Sequence, residues 1–123
     1  MHALVDAFLK GRATLKRTKG EYFDNLEKPK KADAIGAICY GLYKKSVDKP
    51  IAAIKSEWPQ INYWVKVPCG HDDEGGLLSS VLIHLNDEHT AHDWSDKKIA
   101  DWLDVVLAGQ AYPTKENFDK TMQ

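Results

Sequence analysis

Apolar positions recur at helical spacing in several stretches of this chain, separated by segments rich in Gly, Pro, Asn and charge. Leu4, Val5, Phe8 and Leu9, with Leu15 continuing the stripe beyond Gly11, predict a first helix over residues 3–17. Its other face carries Lys10, Arg12, Lys16 and Arg17. Residues 18–31 hold Gly20, Asn25, Pro29 and a Lys28-Pro-Lys-Lys31 run, which read as a solvated loop with Tyr22 and Phe23 turned inward.

From Asp33 onward, Ile35, Ile38, Cys39, Leu42 and Tyr43 fall at i, i+3, i+4, i+7 and i+8, the stripe of a helix facing a core. The small residues Ala34, Gly36, Ala37 and Gly41 in the same stretch let a second backbone come close, for packing or for a ligand, with packing the favoured reading. Pro50 opens a helix over residues 50–57, because a first-turn proline loses no needed hydrogen bond, and Trp58-Pro59 ends it. Residues 62–68 alternate as a short extended segment does, and residues 69–76 read as a loop.

Leu77, Leu78, Val81, Leu82 and Leu85 match a helix, although Val81 to Leu85 alone also fits a buried strand. Ser95 stands at an N-cap position with Asp96 near the positive end of the following helix dipole. Ile99, Trp102, Leu103, Val106 and Leu107 then give an amphipathic helix that Gly109 can close. Pro113-Thr114 can open a short last helix anchored by Phe118. The expected fold is all-α, about five helices in one compact domain spanning residues 1–123. The alternative is α+β, with a short strand pair around 62–68 and 80–85.

Composition supports an ordinary globular chain: it is 43% hydrophobic and 28% charged, far from the signature of disorder. No apolar run approaches a bilayer span and the first residues lack a signal-peptide pattern, so the cytoplasm is the expected compartment, with no membrane partner. Cys39 and Cys69 are expected to be free thiols there. Charge is divided unevenly: residues 1–66 hold 13 Lys/Arg against 7 Asp/Glu, and residues 67–123 hold 4 against 11. The safer reading is that the two halves attract one another within the fold; the other is a basic face offered to a phosphate-rich partner.

Candidate chemistry concentrates between His84 and Asp104. The run His84-Leu-Asn-Asp-Glu-His-Thr-Ala-His-Asp-Trp94 places three imidazoles and three carboxylates within eleven residues. His84, Asp87, His89 and His92 are suitable ligand types for a divalent metal, with Cys69 and His71 as further donors. No cofactor is expected, and a divalent metal is the alternative, because His89-x2-His92 lacks the usual zinc spacing and neither Cys-x2-Cys nor His-Glu-x2-His is present. A His paired with Asp87 or Asp93 would be the acid–base alternative. For each residue singly, the favoured reading is structural, with Asn86 and Asp87 closing the upstream helix through side-chain bonds to backbone.

No Gly-x-Ser-x-Gly occurs, and Gly75-Gly76 lacks the Lys-Ser/Thr of a phosphate-binding loop. Trp94 to Leu103 has the look of the first helix of a helix-turn-helix, but Asp101 and Asp104 would repel phosphates where a recognition helix should attract them. Arg12, Lys16 and Lys19, at i, i+4 and i+7, are candidates for phosphate or an acidic partner, although charge rows are more often solvated faces. Trp58, Trp64, Trp94 and Trp102 are many for this length; Trp102 reads as buried, and Trp64 and Trp94 as candidates for exposure.

The run Ser80-Val-Leu-Ile-His-Leu-Asn-Asp-Glu-His89, followed by Trp94-Ser-x3-Ile-Ala-Asp-Trp-Leu103, resembles a signature of short phage and prophage proteins that have no assigned activity. This chain departs from their pattern by extra residues between His89 and Trp94 and by a single Cys69 where relatives can show a cysteine pair. The resemblance implies that His84, Asn86, Asp87, His89, Trp94 and Ser95 form one shared binding or structural element, with Ile99, Trp102 and Leu103 beneath it. The leading expectation is therefore a non-enzymatic accessory protein of phage type that binds a host or phage protein. The alternatives are a small histidine-cluster hydrolase or nuclease, with or without a divalent metal, and nucleic-acid binding through the N-terminal basic face.

Overall fold

The computed structural model describes residues 1–69, 75–87 and 94–122. They form a mostly helical structure with six α-helices: α1 Ala3–Thr14, α2 Ala34–Tyr43, α3 Pro50–Glu57, α4 Leu78–Asp87, α5 Asp96–Gly109 and α6 Lys115–Met122. Two small strand pairs accompany them. β1 (Lys16–Arg17) runs parallel to β2 (Lys31–Ala32), and β3 (Trp64–Lys66) runs antiparallel to β4 (Gly75–Leu77) with Val65 opposite Gly76. No helix among the described residues is long and apolar enough to cross a membrane.

The alternative strand pair is corrected in one partner. Residues 64–66 are extended as expected, but they pair with Gly75–Leu77, whereas residues 80–85 lie inside α4. Val81, Leu82 and Leu85 are all buried while Ile83 and His84 between them are only partly so, the spacing of one helix face. The first helix is also shorter than its stripe predicts: Leu15 is buried but already extended, with φ −113° and ψ 131°.

The centre of the fold is the antiparallel crossing of α1 and α2. Ala7 faces Gly41 and Gly11 faces Ala37, so that a Cβ built on Gly11 would lie 1.8 Å from the Ala37 carbonyl oxygen and one on Gly41 would lie 1.9 Å from that of Ala7. The small residues of α2 thus serve packing. Leu4, Val5 and Phe8 of α1 and Ile35 and Ile38 of α2 join Leu78, Leu82 and Leu85 of α4 and Ile99 and Leu103 of α5 in one buried apolar cluster.

The C-terminal segment closes the other end. Trp64 and Tyr112 exchange backbone hydrogen bonds of 2.7 and 2.9 Å, and Phe118 packs beside both rings and over Gly75, where a Cβ would meet its ring at 2.4 Å. Trp64, Trp94 and Trp102 are all half-buried; the last two lie against the core from its rim.

Candidate functional site

Arg12 is the hub of the polar chemistry, and its place follows from α1. It lies four residues after Phe8 and eight after Leu4, on the buried stripe, so its guanidinium is carried inward over the Phe8 ring with 7% of the side chain exposed. There it meets three elements at once. Nη1 donates to the Ala32 carbonyl at 2.7 Å, Nη2 to Asn86 Oδ1 of α4 at 3.0 Å, and Nε to Asp96 Oδ1 of α5 at 3.0 Å. Arg17 approaches from outside, donating to the same Asp96 oxygen at 2.9 Å and to the Trp94 carbonyl at 2.6 Å.

Burial pulls the Arg12 guanidinium below its usual pKa, and the Asp96 carboxylate opposes that pull. Two basic residues from the first half therefore pair with one carboxylate from the second, the internal attraction that the charge division favoured. Helical spacing ends at Thr14, so Arg12, Lys16 and Lys19 do not line one helix face. Lys16 is exposed in β1 and Lys19 is partly buried, while Arg12 is held by the interior.

Asn86 is fully buried at the end of α4 and both its side-chain polar atoms are engaged: besides accepting from Arg12, its Nδ2 donates to the Thr18 carbonyl at 2.9 Å and to Asp87 Oδ1 at 2.6 Å. Asp87 Oδ2 accepts the Gly20 backbone N–H at 3.1 Å. Ser95 caps α5 by accepting the Lys98 N–H at 3.2 Å, and the Trp94 N–H donates to the Leu85 carbonyl. Lys98 Nζ lies 4.1 Å from the centre of the Trp94 ring. Asn86, Asp87, Trp94 and Ser95 thus meet at one junction of α1, α4, α5 and the 18–31 loop.

His84 faces elsewhere, with Nε2 3.3 Å from Cys69 Sγ. His71, His89, His92 and Asp93 lie outside the described residues. Among the described residues no group of three or more His, Cys, Asp or Glu side chains is gathered as a metal ion requires.

Beside the junction lies an open pocket of ≈ 440 Å³, lined by Gly20, Glu21, Tyr22, Asp33, Ile83 and Asp87. Asp33 stands just before α2 as its N-cap, accepting the Gly36 N–H at 2.8 Å, and is only 2% exposed. Burial pushes its carboxyl up to about 7; the Gly36 N–H works against that rise, the charge of Asp87 adds to it, and Arg12 opposes it. Sequence reasoning passed over Asp33 as the mere start of a helix and Glu21 as part of a loop. The available signal was an acidic N-cap ahead of a wholly apolar first turn, where little water can reach it.

Comparison with known proteins finds no match to the chain, neither a family model nor a curated protein nor a solved structure.

The raised Asp33 carboxyl sets a pH dependence. Its folded pKa of about 7 exceeds the roughly 3.9 of an unfolded aspartate, so the fold binds the proton more tightly than the unfolded chain does. The resulting stabilisation is complete below the unfolded value and is lost as pH rises through about 7. Urea midpoints should show wild-type stability falling, relative to Asp33→Asn, by about 3 kcal/mol between roughly pH 5 and pH 8. Asparagine keeps the cap and removes the titration. Parallel pH profiles for the two proteins would show that Asp33 is ionised throughout.

Proposed function

We propose that this chain is a small accessory protein that acts by binding another protein, and that the pocket beside α4 receives a basic side chain of the partner. The observation that carries this reading is the pocket lining: Glu21, Asp33 and Asp87 supply carboxyl groups, while Tyr22 and Ile83 supply apolar wall. A lysine or arginine matches such a lining, with its alkyl stem along the apolar wall and its charged head against the Glu21 and Asp87 carboxylates. The engagement of Asn86, Asp87, Ser95 and Arg12 in internal hydrogen bonds favours a structural role for the signature over an acid–base one. The internal pairing of Arg12 and Arg17 likewise weighs against nucleic-acid binding through the N-terminal basic face. The resemblance to phage and prophage proteins supports a host or phage protein as the partner.

Nuclear magnetic resonance titration with a short lysine- or arginine-containing peptide, and with its glutamate counterpart, tests the reading. The basic peptides should move the amide signals of Gly20, Tyr22 and Ile83, with the effect weakened by salt. Glu21→Lys, an exposed substitution, should abolish the response. Silence with every basic peptide, or an equal response to the acidic one, would count against the pocket.

A further inference from the structure

The two cysteines occupy opposite environments. Cys39 is fully buried in α2, and burial pushes its thiol up to about 11. Cys69 is half-buried, three residues beyond β3, with Sγ 3.3 Å from His84 Nε2. The antiparallel pairing of β3 with β4, which leads directly into α4, holds the chain after Lys66 beside that helix. Leu82 and Leu85, both buried, anchor the turn of α4 that carries His84, so the imidazole stands on a rigid element, while Cys69 is only partly buried. A nucleophile within hydrogen-bond reach of a base is the arrangement that activates a thiol.

We propose that Cys69 and His84 form a nucleophilic thiol–imidazole pair that exchanges with small-molecule disulfides, making Cys69 a site of reversible S-thiolation. In the Nδ1–H tautomer, His84 Nε2 takes the thiol proton. The Cys69 thiolate attacks one sulfur of a disulfide RS–SR, a Cys69–S–SR bond forms, the RS–SR bond breaks, and RS⁻ departs; the imidazolium returns its proton to an alkyl RS⁻, giving RSH, or to solvent where RS⁻ is an aryl thiolate that stays ionised. The Cys69 sulfur is oxidised and the small disulfide, which is the co-reactant, is reduced. Addition of a thiol reverses the step.

The test uses the full chain with dithionitrobenzoate, a disulfide that releases a coloured thiolate, and oxidised glutathione with mapping of the adduct by mass. The folded protein should react once, at Cys69, with Cys39 silent until denaturant is added, and Cys69→Ser should abolish the reaction. At pH 7, His84→Gln should slow it about tenfold, and the gap should close near pH 10, where any accessible thiol is ionised. The silence of Cys39 reports in the same experiment that the variant is folded. Should His84→Gln expose Cys39, the wild-type rate decides, set against a short peptide of residues 65–69: about tenfold faster at pH 7 upholds the pair. Equal rates for His84→Gln and wild type, a wild-type rate no faster than the peptide's, or reaction at Cys39 as fast as at Cys69, would overturn it.

Discussion

Replacing Arg12 with methionine is expected to cost about 3 kcal/mol of folding stability. Methionine keeps an apolar stem in the same place, so what it removes is the guanidinium, together with its position over the Phe8 ring. Three acceptors then lose a donor together: the Ala32 carbonyl, Asn86 Oδ1 and Asp96 Oδ1. Asp96 retains Arg17 and some access to water, which limits its share, but Asn86 is fully buried and has no solvent to turn to. Chemical denaturation should report the loss directly. Lys16→Met, which removes an exposed charge from β1, should change stability by less than about 0.5 kcal/mol. Equal effects for the two variants would mean that the inward guanidinium is not holding the junction.

An equally large effect is expected at the crossing of α1 and α2. Gly11→Ala should destabilise by about 3 kcal/mol, and Gly41→Ala by a similar amount, because each new methyl would overlap a backbone carbonyl that cannot move without separating the helices. Intrinsic helix propensity predicts the opposite sign, since alanine is favoured over glycine inside a helix by about 1 kcal/mol. Gly109→Ala provides the contrast: nothing lies within 4 Å of a Cβ there, so the substitution should be neutral or stabilising by up to about 1 kcal/mol. Thermal melts of the three variants separate the two effects. Stabilisation by Gly11→Ala would show that the helices do not meet at this point.

The parts of the fold that were legible in the sequence are those that local periodicity determines. The apolar spacings from Ile35 and from Ile99 identify α2 and α5, and Ser95 announces its own cap. The end of α1 was less legible, because Leu15 continues an apolar stripe whether it is buried as part of the helix or, as here, as the first extended residue after it. Arg12 presents the same difficulty from the other side. Its charge groups it with Lys10 on the polar face, although it stands eight residues after Leu4 on the stripe itself; what holds it inward is its partners, and those lie 20, 74 and 84 residues away along the chain. Lys10, off the stripe, forms an exposed ion pair with Asp6 instead. Asp33 and Glu21 escaped notice for a related reason: the pocket exists only once the 18–31 loop, α2 and α4 have been brought together.

The claim that Asn86, Asp87 and residues 94–96 are first of all a junction between helices is tested most directly by a double-mutant cycle between Arg12 and Asp96. Folding stabilities of wild type, Arg12→Met, Asp96→Asn and the double variant are measured by denaturant unfolding at neutral pH; the cycle subtracts what Asp96 contributes separately to the start of α5. Because Asp96 is partly exposed, a coupling of about 1 to 2 kcal/mol is predicted. Additivity within about 0.5 kcal/mol would contradict the junction.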